Sequence, residues 1–198
     1  MEPEKIVIEN SPIIAMPEIP KTKDSPWDLL VFALFAIAIV LPIRIFIAQP
    51  FVVSGASMSP TFHDTDYLII DEISYAIKDP ARYEVIVFKY PNDKKKYYIK
   101  RIIGLPNETV DVKAGIVTIT NKENPTGFTL PQPYVKNESN DSSHFQLKDK
   151  EYFVMGDNRS GSSDSRSWGA LPEDLIVGRV FSRLLPVKSL DLFPGYFK

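Results

Sequence analysis

From Leu29 to Ile43 the chain runs fifteen residues without one charged or hydrogen-bonding side chain (LLVFALFAIAIVLPI). A core helix of a soluble domain keeps a polar face, and this run has none. Extended from Trp27 to Ala48 it is 22 residues long. At about 1.5 Å per residue that is roughly 33 Å, enough to span a bilayer. Asp28 and Arg44 sit near its ends, where side chains reach the interface, and Trp27 suits an aromatic belt. A cleavable leader fits poorly, because the polar stretch in front is long and Phe46 and Ala48 do not form a small-x-small site. The run therefore predicts a retained transmembrane helix over 26–48.

Residues 1–25 are polar, with prolines at 3, 12, 17 and 20, and read as a poorly ordered tail. Lys21 and Lys23 precede the span, whereas no Lys or Arg occurs between Arg44 and Lys78. The positive-inside bias then places the tail in the cytoplasm. A single pass through the plasma membrane would leave residues 49–198 on the extracytoplasmic side, with the lipid bilayer as a partner.

Those residues read as mainly β. Strand candidates are 65–73, 84–90 and 97–103, the last two flanking a polar turn NDKKK. ETVDV and GIVTIT flank Lys113-Ala114, and EYFVM (151–155) and IVGRVFSRLL (176–185) follow. Short Val-, Ile- and Tyr-rich runs at this spacing predict a folded antiparallel sheet or barrel-like domain rather than βαβ units. Residues 121–146 show little periodicity and read as a long surface loop. The apolar stretch SLDLFPGYFK (189–198) is expected to pack on the barrel, with contact to the bilayer as the alternative.

Composition removes several chemistries. With 23 Lys+Arg against 25 Asp+Glu there is no basic surplus for nucleic acid. The absence of cysteine excludes thiol catalysis and thiolate zinc sites. His63 and His144 are the only histidines and lie in no metal-type spacing, so no metal or cofactor is expected. A hydrolytic nucleophile would have to be Ser, Thr or a carboxylate.

Three segments stand out. In Ser54-Gly-Ala-Ser57-Met-Ser-Pro60-Thr61, a strand runs into small residues that leave N–H groups exposed around Ser57, and Pro60 enforces a turn. A serine held there could attack a carbonyl while main-chain donors bind the oxyanion; taken alone, the segment also reads as a plain Ser/Gly turn. In YYIKRIIGLP, strand alternation puts Lys100 and Arg101 on opposite faces, so whichever face is buried carries a cation. Burial would lower the pKa of Lys100 and let it act as a general base; alone, the pattern equally suits side chains reaching a solvent edge. The third, from Met155 through Gly156-Asp-Asn-Arg-Ser-Gly-Ser-Ser-Asp164-Ser-Arg166 to Gly169, packs charges, hydroxyls and glycines into one loop. Its order Asp-x-Arg…Asp-x-Arg suggests a salt-bridged frame.

SGASMSPT, YYIKRIIGLP and GDNRSGSSDSR, in this order after an apolar segment, resemble type I signal peptidase. The resemblance covers residues 27–185. It implies that Ser57 is the nucleophile, Lys100 the general base and Ser162 the residue that hydrogen-bonds and orients the lysine. It matches Asp157, Asp164, Arg101 and Arg166 to an ion-paired frame. It matches Phe51, Val53, Tyr98 and Ile99 to positions lining small substrate pockets. Gly55 stands where some relatives carry a serine that assists the oxyanion hole, which leaves the backbone N–H of Ser57 as the main donor. The family's partners would be signal peptides of exported preproteins, cut after small residues at the first and third positions before the bond, with the secretion translocon an indirect partner.

Arg82-Tyr83-Glu84, Asn107-Glu108 and Ser160-Gly161 depart from the family's commoner turn residues. A histidine-based serine hydrolase and a membrane-anchored, inactive peptidase-like binding or assembly module are the competing readings.

Overall fold

The computed structural model describes residues 26–42 and 48–196. The tail expected over 1–25 and residues 43–47, with Arg44, lie outside the described residues. Helix α1 covers Pro26–Pro42. Pro26 opens it with a pre-set φ, and Asp28 in the first turn complements the helix dipole. Leu29, Phe32 and Phe35 on it are exposed. Among the described residues no helix is long and apolar enough to cross a membrane. The span expected over 26–48 is described only as far as Pro42.

The rest is β structure in two antiparallel sheets. The larger uses β1 (Ala48–Val52), β2 (Tyr67–Asp71), β3 (Val85–Tyr90), β4 (Asp93–Gly104), β9 (Glu151–Met155), β10 (Leu171–Pro172), β11 (Ile176–Leu185) and β12 (Asp191–Leu192). Its order is β1-β2-β11-β3-β4-β9-β10, with β12 on β11. The smaller has the order β7-β6-β5-β8, from β5 (Thr109–Lys113), β6 (Ile116–Thr120), β7 (Phe128–Thr129) and β8 (Ser142–Gln146).

The mainly antiparallel β class stands, but the barrel does not close: among the described residues β1 and β10 are free edges. Both contain a proline, Pro50 and Pro172, a residue that sheets confine to edge strands, strand ends and bulges because it has no N–H. Two segments differ from expectation. The NDKKK turn is largely strand, since β4 already begins at Asp93. The long loop over 121–146 carries β7 and β8. Of the residues in β8, Ser-Ser-His-Phe-Gln, only Phe145 is apolar, and it packs on the core. The strand owes its pairing to β5, Val110 facing Phe145, and not to an alternation of its own.

Three apolar clusters fill the interior. The one that concerns the site joins Val53, Met58, Phe62, Leu68, Ile70, Val85, Val87 and Val180. Met58 and Phe62, both fully buried, plug the turn after β1 into this core. That burial fixes where Ser57 stands. Truncating either side chain would forfeit about 2–5 kcal/mol.

Candidate active site

β1 ends at Val52, and the chain then turns through Ser54–Thr61. Gly55 adopts φ +92°, a left-handed conformation that favours glycine. Its N–H donates to Asp64 Oδ1 at 2.8 Å. The Ser57 carbonyl accepts from the Asn158 N–H at 3.0 Å, and the Asn158 amide nitrogen donates to Ala56 O at 3.1 Å. Asn158 thus ties the serine turn to the loop after β9. Gly156 beside it has to be glycine, because a Cβ would collide with Ser57 O and Ser162 Oγ.

Lys100 comes from the centre of β4 and is 4 % exposed. Its Nζ lies 2.8 Å from Ser57 Oγ and 2.9 Å from Ile99 O. The Tyr98 ring centroid is 5.2 Å from the same nitrogen. Burial pushes the Lys100 pKa down to about 8, partly opposed by the fields of Asp164 and Asp157. The amine is therefore about half neutral near pH 8, in hydrogen-bond contact with a hydroxyl.

Arg101, on the other face of β4, is fully buried. It forms a bidentate pair with Asp157, Nε to Oδ1 at 2.8 Å and Nη2 to Oδ2 at 2.6 Å. Arg166 pairs likewise with Asp164, Nε to Oδ1 at 2.8 Å and Nη2 to Oδ2 at 2.8 Å. Asp164 also accepts the Gly156 N–H at 3.0 Å and caps helix α2 (Ser165–Trp168). The Asp-x-Arg repeat works differently from its linear order. Asp157 is paired with Arg101 of β4, while Arg159 Nε donates to Gly156 O at 3.1 Å.

Ser162 also differs. Its hydroxyl is buried with no hydrogen-bond partner among the described residues, so the expected bond to Lys100 is not formed. Two acceptors, Ser57 Oγ and Ile99 O, already engage the amine.

A cleft of about 450 Å³ opens in front of Ser57 and Lys100. Phe51, Val53, Tyr98 and Ile99 all line it, with Leu68 and Val87 at its floor. One wall is β1, whose outer edge is free; the other is the first half of β4, which pairs with β9 only from Arg101 onward. Neither histidine belongs to the site. Both are exposed, and His144, on β8, contacts Asp111 at 2.7 Å.

Sequence reasoning missed three participants. Thr61 Oγ1 donates to Asp157 Oδ2 at 2.5 Å. Asn158 binds the serine turn. Tyr134 lies over the Arg101 guanidinium at 4.0 Å. Thr61 and Asn158 fall inside the motifs already singled out, which was the available signal; Tyr134 lies in the supposed loop and gave none.

A crystal structure of a signal peptidase I from Enterococcus faecalis V583 superposes with a TM-score of 0.44 at 29% identity, over 52% of this chain and 97% of that one. A probable signal peptidase I-2 of Synechocystis sp. is 36% identical over 186 residues, covering 88% of this chain and 83% of the relative. The signal peptidase I of Bacillus caldolyticus is 33% identical over 163 residues, covering 78% of this chain and 88% of the relative. The model of the signal peptidase family, peptidase S26, matches residues 27–185, and the chain belongs to that family.

Proposed function

We propose that this protein is a membrane-bound serine endopeptidase that removes signal peptides from exported preproteins, with Ser57 and Lys100 as its catalytic pair. The observation that carries the reading is the 2.8 Å contact between Lys100 Nζ and Ser57 Oγ at the base of an open cleft. Neutral Lys100 takes the Ser57 proton as the oxygen attacks the scissile carbonyl. The protonated amine then passes that proton to the leaving nitrogen, which frees the mature protein and leaves an acyl-enzyme. Lys100 next deprotonates a water that attacks the ester, and Ser57 recovers its proton.

The Ser57 N–H is the main oxyanion donor, because the Gly55 N–H is turned to Asp64. Ser162 is proposed to accept a proton-bearing Nζ–H once Lys100 becomes an ammonium, which would give its buried hydroxyl a partner. The Arg101–Asp157 and Arg166–Asp164 pairs hold the frame. The free edges of β1 and β4 suit an extended peptide that adds as a strand between them. Phe51, Val53, Tyr98 and Ile99 would then restrict the two inward-facing substrate side chains to small ones.

The apolar run supplies the membrane tether in this reading. The tail over 1–25 is cytoplasmic, a single span covers 26–48 and the catalytic domain covers 49–198 on the outer side. The translocon is an indirect partner. Confinement to the bilayer surface raises the effective concentration of a membrane-borne substrate.

The test is cleavage of a preprotein by the detergent-solubilised full chain and its Ser57→Ala, Lys100→Met and His144→Ala variants. Activity lost in the first two and kept in the third is expected. An active Lys100→Met overturns the catalytic pair, and an inert wild type favours the binding module.

A further inference from the structure

Arg101 has more partners than an ion pair needs. Besides Asp157, its Nη1 donates to Tyr83 O at 2.9 Å and to Gly195 O at 2.5 Å. Gly195 is ninety-four positions away, in the apolar stretch to which the catalytic reading assigns nothing. Pro194 and Gly195 are the corners of a turn closed by Tyr196 N–H donating to Phe193 O at 3.1 Å. Proline pre-sets the first corner, and Gly195 at φ +75° supplies the left-handed second one.

The turn is seated on the body of the domain. Phe193 N–H donates to Phe181 O at 2.8 Å, and the two rings meet edge-on at 5.2 Å. Pro194 is buried. Gly195 also lies flat on the serine loop, since a Cβ there would stand 2.7 Å from Thr61 Cγ2 and 3.2 Å from Arg101 Nη2. Glycine is needed twice over, for its φ and for this approach.

A continuous chain of short contacts runs from the turn to the reacting serine. Gly195 O holds Arg101, Arg101 holds Asp157, and Asp157 Oδ2 accepts Thr61 Oγ1 at 2.5 Å. Thr61 is four residues from Ser57, and Arg101 is the neighbour of Lys100. The two halves of the catalytic pair are thus braced from behind through one carboxylate.

We propose that the Phe193–Tyr196 turn is a positioning element of the peptidase, whose Gly195 carbonyl fixes Arg101 and, through Asp157 and Thr61, sets the serine loop against Lys100. This rests on the Ser57–Lys100 reading. It predicts that disturbing a surface turn remote from the cleft impairs turnover without impairing substrate binding. Lys100 faces Asp157, Asp164, the Tyr98 ring and Ser57. A loosened Arg101 leaves the Asp157 charge less compensated, so the proton on Lys100 is held more tightly.

The experiment compares wild type, Gly195→Ala, Leu190→Ala, Thr61→Val and Thr61→Ser in detergent on a preprotein, with the active fraction counted by acylation of Ser57. Gly195→Ala is expected to lower kcat per active molecule at least tenfold with KM within twofold, and to move the acid limb of the kcat profile to higher pH. Thr61→Val should show the same pattern, Thr61→Ser should restore it, and Leu190→Ala, an exposed side chain outside the turn, should stay within twofold of wild type. A Gly195→Ala enzyme whose only change is a smaller active fraction, with kcat per active molecule and acid limb unmoved, overturns the proposal. Should Gly195→Ala not fold, a chain ended at Phe193 removes the turn without the clash. Failure of both to fold makes the turn part of the fold alone and also overturns the proposal. Failure of the catalytic pair itself is distinguishable, because it appears as activity in Lys100→Met whatever Gly195→Ala does.

Discussion

Lys100 and Arg101 are consecutive on β4 and both buried, yet only Arg101 has a carboxylate in contact, Asp157 at 2.6 Å. Lys100 instead meets a hydroxyl and a carbonyl. One cation is ion-paired; the other is pushed toward neutrality by burial. The same strand thereby supplies a structural cation on one face and a proposed base on the other.

Asp157→Ala strips the carboxylate from a fully buried guanidinium. Breaking such a pair costs about 3–5 kcal/mol. For a chain of this size that corresponds to a fall in melting temperature of about 6–20 °C. Differential scanning calorimetry checks this, and a change under 2 °C would contradict the role given to Asp157.

Lys100→Met should abolish cleavage and yet raise stability at pH 7. Burial holds the folded-state pKa of Lys100, about 8, below its unfolded value, so at pH 7 folding must desolvate an ammonium. Methionine removes that cost, for a gain on the order of 1 kcal/mol or a few °C. The gain shrinks as pH rises past about 8, where the wild-type amine loses its charge. Melting curves at pH 7 and pH 10 test both the sign and the trend.

Ser162→Ala separates resting from reacting geometry. The buried hydroxyl has no partner among the described residues, so its removal should leave the melting temperature within 2 °C. Loss of a hydrogen bond to the ammonium formed during turnover should lower kcat by roughly tenfold to a hundredfold. Unchanged kcat would remove Ser162 from the mechanism.

Ile99→Ala opens the wall of the cleft beside the reacting pair. A preprotein with leucine in place of alanine at the first or third position before the cut should gain kcat/KM relative to the alanine substrate, by about tenfold. An unchanged ratio at both positions would place Ile99 outside the selecting pockets.

Much of this was legible in the chain. Strand alternation put Lys100 and Arg101 on opposite faces, and the small residues around Ser57 marked a turn with exposed donors. What alternation could not reveal is that both faces of β4 are covered here, one by the serine loop and the other by the Gly195 turn. That depends on contacts 43 and 94 residues apart. Linear order sets Arg159 beside Asp157, and it was the family resemblance that placed Arg101 in the same ion-paired frame. β8 was illegible because Ser-Ser-His-Phe-Gln offers one inward apolar side chain and borrows its strand geometry from β5. Pro50 and Pro172 are compatible with the edge strands in which they lie, which shows only once the neighbours are known.

The most direct test of the central claim, a neutral lysine acting on Ser57, is the pH dependence of kcat/KM for preprotein cleavage between pH 6 and pH 10. The base is active when deprotonated, so the rate should climb about tenfold per pH unit on the acid side, bend near pH 8 and level off above it. A rate independent of pH from 6 to 9 would contradict Lys100 as the base.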